Sequence, residues 1–174
     1  MRIILTPVDF SEASPRVVEV AAGLARALHG RVVLLHVVRV PPLLTGLDVE
    51  VKNVAEMTLA LEQAAERKLS ELQRALEEKS VKTQILRLTG HAAAEITEQA
   101  QKLSADHIVI GSHGHTAFYD LTLGSTTSAV IMGSACPVVV VPPLKKRAEQ
   151  KPRRTVNSVI NGLLFETAAG PRAT

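Results

Sequence analysis

Apolar and polar positions along the 174-residue chain fall into two alternating patterns. Short runs rich in Val, Ile and Leu occupy residues 2–7, 32–40, 106–110 and 137–141, and residues 81–88 alternate. Each is short enough to be a strand, and the continuous ones read as strands buried on both faces. Longer stretches with helical spacing lie between them. Val17, Val18, Ala21, Leu24, Ala25 and Leu28 predict a first helix, opened by Ser11, Ser14 and Pro15 and stopped at Gly30 as a left-handed residue. Over residues 50–79, Val51, Val54, Thr58, Leu61, Ala65, Leu69, Leu72 and Leu76 form one stripe of a long amphipathic helix. A third helix covers residues 92–103 after Gly90, and a fourth begins at Gly124 and turns Val130 and Ile131 inward. Strands alternating with helices predict an α/β fold, a Rossmann-like open parallel sheet of five strands with helices on both faces.

The pattern breaks after Pro142 and Pro143, where a charged run over residues 145–154 replaces it. Residues 1–143 are therefore read as one domain and 144–174 as a basic tail. Helix-like spacing returns at Val156, Val159, Ile160, Leu163 and Leu164, interrupted by Gly162. The tail is either frayed or a short helix that docks on its own domain or on a partner.

Composition narrows the class. At this length one core buries roughly 70% of the unfolded chain's surface, so neither disulfides nor a metal is required. The single Cys136 excludes an internal disulfide framework and a CxxC pair, reads as a small buried hydrophobe, and fits a reducing, cytoplasmic setting. Apolar runs fall far short of the ~18 residues that cross a bilayer, and the first is too short for a signal peptide. Seven of the 20 basic residues, but only two of the 17 acidic ones, lie in residues 145–174. The rest of the chain is thus slightly acidic and, with 2% aromatic residues overall, lacks the basic face and stacking platforms of a nucleic-acid binder. Any tethering to nucleic acid or an anionic membrane belongs to the tail.

Candidate chemistry gathers at two strand ends, where an open parallel sheet places its ligand. One is Pro7-Val8-Asp9-Phe10-Ser11. The other runs from Gly111-Ser112-His113-Gly114 to Gly124-Ser125-Thr126. Glycines 111 and 114 allow positive backbone dihedrals and close approach of amides to an anion. Gly124, Ser125 and Thr126 add the free amides and dipole of a helix start, together with two hydroxyls. Asp9 offers two oxygens to the paired hydroxyls of a ribose, or else caps the first helix; Ser125 alone could be only an N-cap. A nucleotide is the indicated ligand. No Lys or Arg lies between Lys102 and Lys145, so the loop supplies neither a Walker lysine nor an arginine finger, and binding with slow or no hydrolysis is favoured over turnover. Phosphates and water would hold most of the Mg²⁺ shell, with Asp120 or a hydroxyl as further ligands. His113 and His115, with His107 nearby, make only a partial metal site; they face solvent or touch the outer phosphates. No catalytic residue is assigned.

The spacing Gly111-x-x-Gly114-x9-Gly124-Ser125 resembles the nucleotide-binding signature of the ATP-binding branch of the universal stress protein family. Thr6-Pro7-Val8-Asp9-Phe10-Ser11 is similar to that family's opening strand and loop. Leu35-His36-Val37 is similar to its second strand, residues 105–111 to its fourth and Cys136-Pro137-Val138 to its last. The resemblance covers residues 1 to about 143 and implies a strand order of 3-2-1-4-5. It further implies that Asp9 holds the ribose, Pro7 lines the entrance and Val37 meets adenine through its backbone, while Gly111, Gly114, Gly124, Ser125 and Thr126 hold phosphates. It also implies a homodimer through the edge strand from Pro137 to Val141, whose open backbone groups would otherwise be covered by the tail. The tail departs from the family's usual ending. The leading expectation is a cytoplasmic ATP-responsive sensor or switch. Its alternative is a dimeric interaction module of the same fold that needs no nucleotide.

Overall fold

The computed structural model describes residues 1–39, 51–113 and 123–143, with 51–58 described as helix backbone only. Gly114, His115, Asp120, the 41–48 loop and the whole tail lie outside the described residues. The chain divides into units Met1–Pro143 and Leu144–Thr174, and everything below concerns the first. Its elements are β1 (Ile3–Pro7), α1 (Ser14–Ala27), β2 (Arg31–Val38), α2 (Val51–Glu77), β3 (Thr83–Thr89), α3 (Ala92–Lys102), β4 (His107–Gly111), α4 (Ser125–Gly133) and β5 (Val138–Val141). All strand pairs are parallel and their order is β3-β2-β1-β4-β5.

Successive residues of a strand point to opposite faces, so β1 sends Ile4 to one side of the sheet and Leu5 to the other. On Ile4's side, Val32, Leu34 and Val109 pack against α1, through Val17, Val18, Ala21 and Ala25, and against Leu69 and Leu76 of α2. Leu5's side joins Val33, Leu35 and Ile108 to Ile96 and Ala100 of α3 and Val130 of α4. The continuous apolar runs are explained by this two-sided burial. Asp106 pins the start of β1 beside β4. It accepts the Ile3 amide at 2.8 Å and the Arg2 guanidinium, and these two contacts hold its carboxyl below the usual range.

Three expectations are corrected. Gly30 is not the left-handed stop of α1; His29 is (φ 49°), and Ser80 and Ser104 play the same part after α2 and α3. In each case the next amide bonds back five residues, Gly30 to Ala25, Val81 to Leu76 and Ala105 to Ala100, closing the last turn. Gly30 is needed for space instead, since a Cβ there would stand 2.5 Å from the Arg2 carbonyl oxygen. Secondly, α4 buries Val130 but leaves Ile131 40% exposed, because neighbouring residues lie about 100° apart around a helix. Lastly, Cys136 is only partly buried, with its Sγ 3.5 Å from Ser134 Oγ.

Two glycine substitutions should move stability in opposite directions. Gly23→Ala, at an exposed site in α1 with nothing within 4 Å of the new Cβ, should stabilise by ~0.5–1 kcal/mol. Gly30→Ala should destabilise by about 1–3 kcal/mol, because the obstructing atom is backbone. Urea denaturation midpoints of the two variants and the parent check both signs.

Candidate functional site

The strand order reverses between β1 and β4, and the chain leaves their carboxyl ends in different directions. A crevice must open there. It is a cleft of about 540 Å³, within the range of small-molecule sites. Residues 7–11 after β1 form its floor, the end of β2 and the flank of α2 form one wall, and the β4 end with the start of α4 forms the other. Pro7, Asp9, Val37, Gly111, His113, Gly124, Ser125 and Thr126 all line it. His107 does not, since it starts β4, at the opposite end of that strand from His113.

Backbone bonds build the β4 side. Ser112 donates its amide to Val141 O at 2.8 Å, and its carbonyl accepts the Gly124 amide at 2.9 Å. Thr127, buried, donates its hydroxyl to Gly111 O at 2.8 Å. The two ends of the loop are thereby closed on each other. Lack of a side chain permits that closeness: a Cβ at Gly124 would lie 3.1 Å from Ser112 O, and one at Gly111 would lie 3.3 Å from His113 O. Gly111 does not adopt a positive φ, so close approach rather than left-handed backbone accounts for it. The Gly124 amide is committed to Ser112 rather than left for a ligand, which corrects one expected donor. The first helical bond of α4 is Ser128 N–H to Gly124 O, so the amides of Ser125, Thr126 and Thr127 have no acceptor within the helix. Gly124 occupies the N-cap position and no side chain caps the turn.

On the floor, Asp9 Oδ1 accepts the Ser11 amide at 3.0 Å and the Ser14 hydroxyl at 3.1 Å, which ties the loop to the first turn of α1. The capping alternative for Asp9 is corrected: no side chain accepts a first-turn amide of α1, and the carboxylate holds the loop through the Ser11 amide and the Ser14 hydroxyl instead. Phe10 holds a left-handed φ of 62°, a conformation that costs a non-glycine residue of order 1–3 kcal/mol. Its ring packs on His36, with centroids 4.4 Å apart, and Lys68 Nζ lies 5.1 Å from the ring centroid. His36 Nδ1 donates to Val8 O at 2.8 Å, while the Val8 amide donates to Leu35 O at 2.8 Å. These two bonds lock the floor to β2. Burial lowers the His36 pKa most strongly; the bond to Val8 and the charge of Asp9 oppose that, and Lys68 and Arg87 add to it. The ring is thus held neutral, with its second nitrogen an acceptor.

Two cleft residues escape the sequence motifs, the cations Lys68 and Arg39, while Phe10 and His36 lie within the quoted motifs but without a sign of their ring contact. Arg39, just past β2, donates from Nη2 to Thr126 Oγ1 at 3.3 Å. Lys68 flanks the buried stripe of α2, three residues after Ala65. Leu61, assigned to that stripe, is 42% exposed and lines the cleft instead. In sequence, the only signal for either cation was position next to a strand end or a helix stripe.

Residues 1–142 match the Universal stress protein family. A universal stress protein of Methanocaldococcus jannaschii, MJ0531, is 34% identical over 145 residues, covering 82% of this chain and 83% of its own length. The solved structure of MJ0577 superposes with a TM-score of 0.66 at 30% identity, covering 81% of this chain and 95% of that one. The universal stress protein of Archaeoglobus fulgidus, solved in complex with dAMP, shares the fold with a TM-score of 0.57 at 22% identity, over 80% of this chain and 97% of that one.

The buried imidazole sets a pH dependence. Above the ordinary histidine pKa of about 6.5, His36 is neutral folded or unfolded, and its contribution to stability is complete. Below about 6.5 the unfolded chain takes up a proton that the folded ring resists, so that contribution is lost as pH falls toward the depressed folded value. His36→Gln should lose less stability than the parent between about pH 7.5 and pH 5.5. Denaturation midpoints at the two pH values test this; equal losses in both proteins would refute the assignment.

Proposed function

This chain belongs to the universal stress protein family, and we propose that its cleft binds an adenine nucleotide, foremost ATP with Mg²⁺, to act as a sensor or switch in the stress response. The observation that carries the reading is the uncapped start of α4 at the rim of the cleft. Three amides without helical acceptors, a helix dipole and the hydroxyls of Ser125 and Thr126 favour an anion there. Gly111 and Gly124 leave the backbone bare on that side. In this reading Gly111, Gly114, Ser125 and Thr126 hold phosphates, and His113 touches the outer ones. Asp9 takes the ribose hydroxyls, Pro7 borders the entrance, and Val37 meets the base through its backbone. The dAMP held by the Archaeoglobus neighbour is a ligand of the same class.

The arrangement favours holding over turnover. No Lys or Arg lies on the phosphate loop itself, so it supplies neither a Walker lysine nor an arginine finger. Slow or absent hydrolysis fits a device whose output is its occupancy.

We further propose a homodimer through β5. Ile108 donates to Pro137 O and Ser112 to Val141 O, so the polar groups of Pro137, Val139 and Val141 face β4. Those of Val138 and Val140 consequently face the open edge.

Saturating ATP, at about 100 times its dissociation constant, should raise the melting temperature by about 5–10 °C. Asp9→Asn keeps Oδ1 for the Ser11 and Ser14 bonds. Measured from its own ligand-free melting temperature, it should show a much smaller ATP shift than the parent. Mass spectrometry of ligand released from freshly purified protein supplies the direct check; no adenylate and no shift would sink the reading. For the dimer, light scattering should report twice the chain mass for the parent and a monomer for Val140→Pro, which removes one edge amide.

A further inference from the structure

We propose that Arg39 reads the outer phosphates of the bound nucleotide, so that the cleft prefers a nucleoside triphosphate to a monophosphate; this rests on the nucleotide reading above. The stretch carrying the phosphate loop contains no Lys or Arg from residue 103 to residue 144. Any cation acting on the phosphates must come from another element. Among the described residues two cations line the cleft, Arg39 and Lys68. Lys68 lies over the face of Phe10, on the α2 side. Arg39 instead crosses from the end of β2 to the start of α4, where its guanidinium meets Thr126 Oγ1.

That position is unfavourable unless an anion shares it. The amino end of a helix carries a partial positive charge, and a second positive charge beside it raises the energy of both. Among the described residues no carboxylate pairs with Arg39. Its bond to Thr126 is long, at 3.3 Å, and its acceptor is a neutral hydroxyl. A phosphate oxygen would be a better acceptor, since charge-assisted bonds to guanidinium are shorter and roughly twice as strong as neutral ones. The planar fork can also engage two oxygens at once. Arg39 is exposed at the rim, whereas Asp9 sits on the floor near the sheet. A nucleotide whose ribose is held at Asp9 therefore brings Arg39 the phosphates farthest from the sugar. AMP has too few to reach it.

Isothermal titration of the full chain with AMP, ADP and ATP tests this in the parent, Arg39→Gln and Arg39→Lys. The parent should bind ATP more tightly than AMP. Arg39→Gln should weaken ATP about tenfold, ADP by less, and AMP by no more than about twofold, while Arg39→Lys recovers part of the ATP loss. Raising salt should narrow the parent's gap between ATP and AMP and barely alter the small gap in Arg39→Gln. The ligand-free melting temperature of Arg39→Gln should equal or slightly exceed the parent's, because the variant loses only a surface bond and removes the charge beside the helix start. An unchanged ATP affinity in Arg39→Gln, or an equal loss for AMP and ATP, overturns the role of Arg39 and leaves the nucleotide site standing. Failure of the parent to bind any adenylate overturns both.

Discussion

The carbonyl of Ser112 accepts the amide of Gly124 at 2.9 Å, and the rest of the cleft is arranged around that bond. It joins the end of β4 to the start of α4 although eleven residues separate them in the chain. Ser112 is in turn bonded to Val141 of the neighbouring strand, and Thr127 closes back on Gly111. A helix start held this firmly keeps its unpaired amides at one place without a ligand to organise them. Organisation in advance is what makes weak dipoles effective, because no ordering cost remains when the ligand arrives.

The opposite wall is held by different means. The His36–Val8 and Val8–Leu35 bonds fasten the floor to β2, and the Phe10 ring contacts both His36 and Lys68. Strain at Phe10 and burial of His36 are both unfavourable taken alone, and packing with these neighbours offsets them. Of the charged side chains lining the cleft, Arg39 and Lys68 are positive and Asp9 negative. Asp9 serves the loop through Ser11 and Ser14, so it shapes the floor whatever the cleft holds. Its position between the first turn of α1 and the cleft is why the sequence allows both a cap and a ribose ligand there.

Much of the fold was legible because it rests on local, periodic features. The apolar runs became β1, β2, β4 and β5 and the helical stripes became α1 to α4, whereas the order β3-β2-β1-β4-β5 was expected from the family resemblance and not from periodicity. Errors arose where geometry is decided by one contact. Gly30 was taken for a helix stop, but it is the neighbouring carbonyl of Arg2 that requires glycine there, and this neighbour is 28 residues away in sequence. Ile131 and Leu61 fit helical apolar patterns, yet one lies on an exposed flank and the other at the cleft.

The sequence by itself determined the fold class through periodicity and brought six of the eight described candidates forward through strand ends and glycine-bearing loops, while the resemblance to the family added Pro7 and Val37; all eight meet in one cleft. Only the tertiary structure brought Arg39 to Thr126, brought Lys68 and His36 to Phe10, and consumed the Gly124 amide. These contacts join residues on different elements, Arg39 and Thr126 being 87 positions apart. No periodicity records such distances, since they follow from how parallel strands are ordered and how helices cross above them.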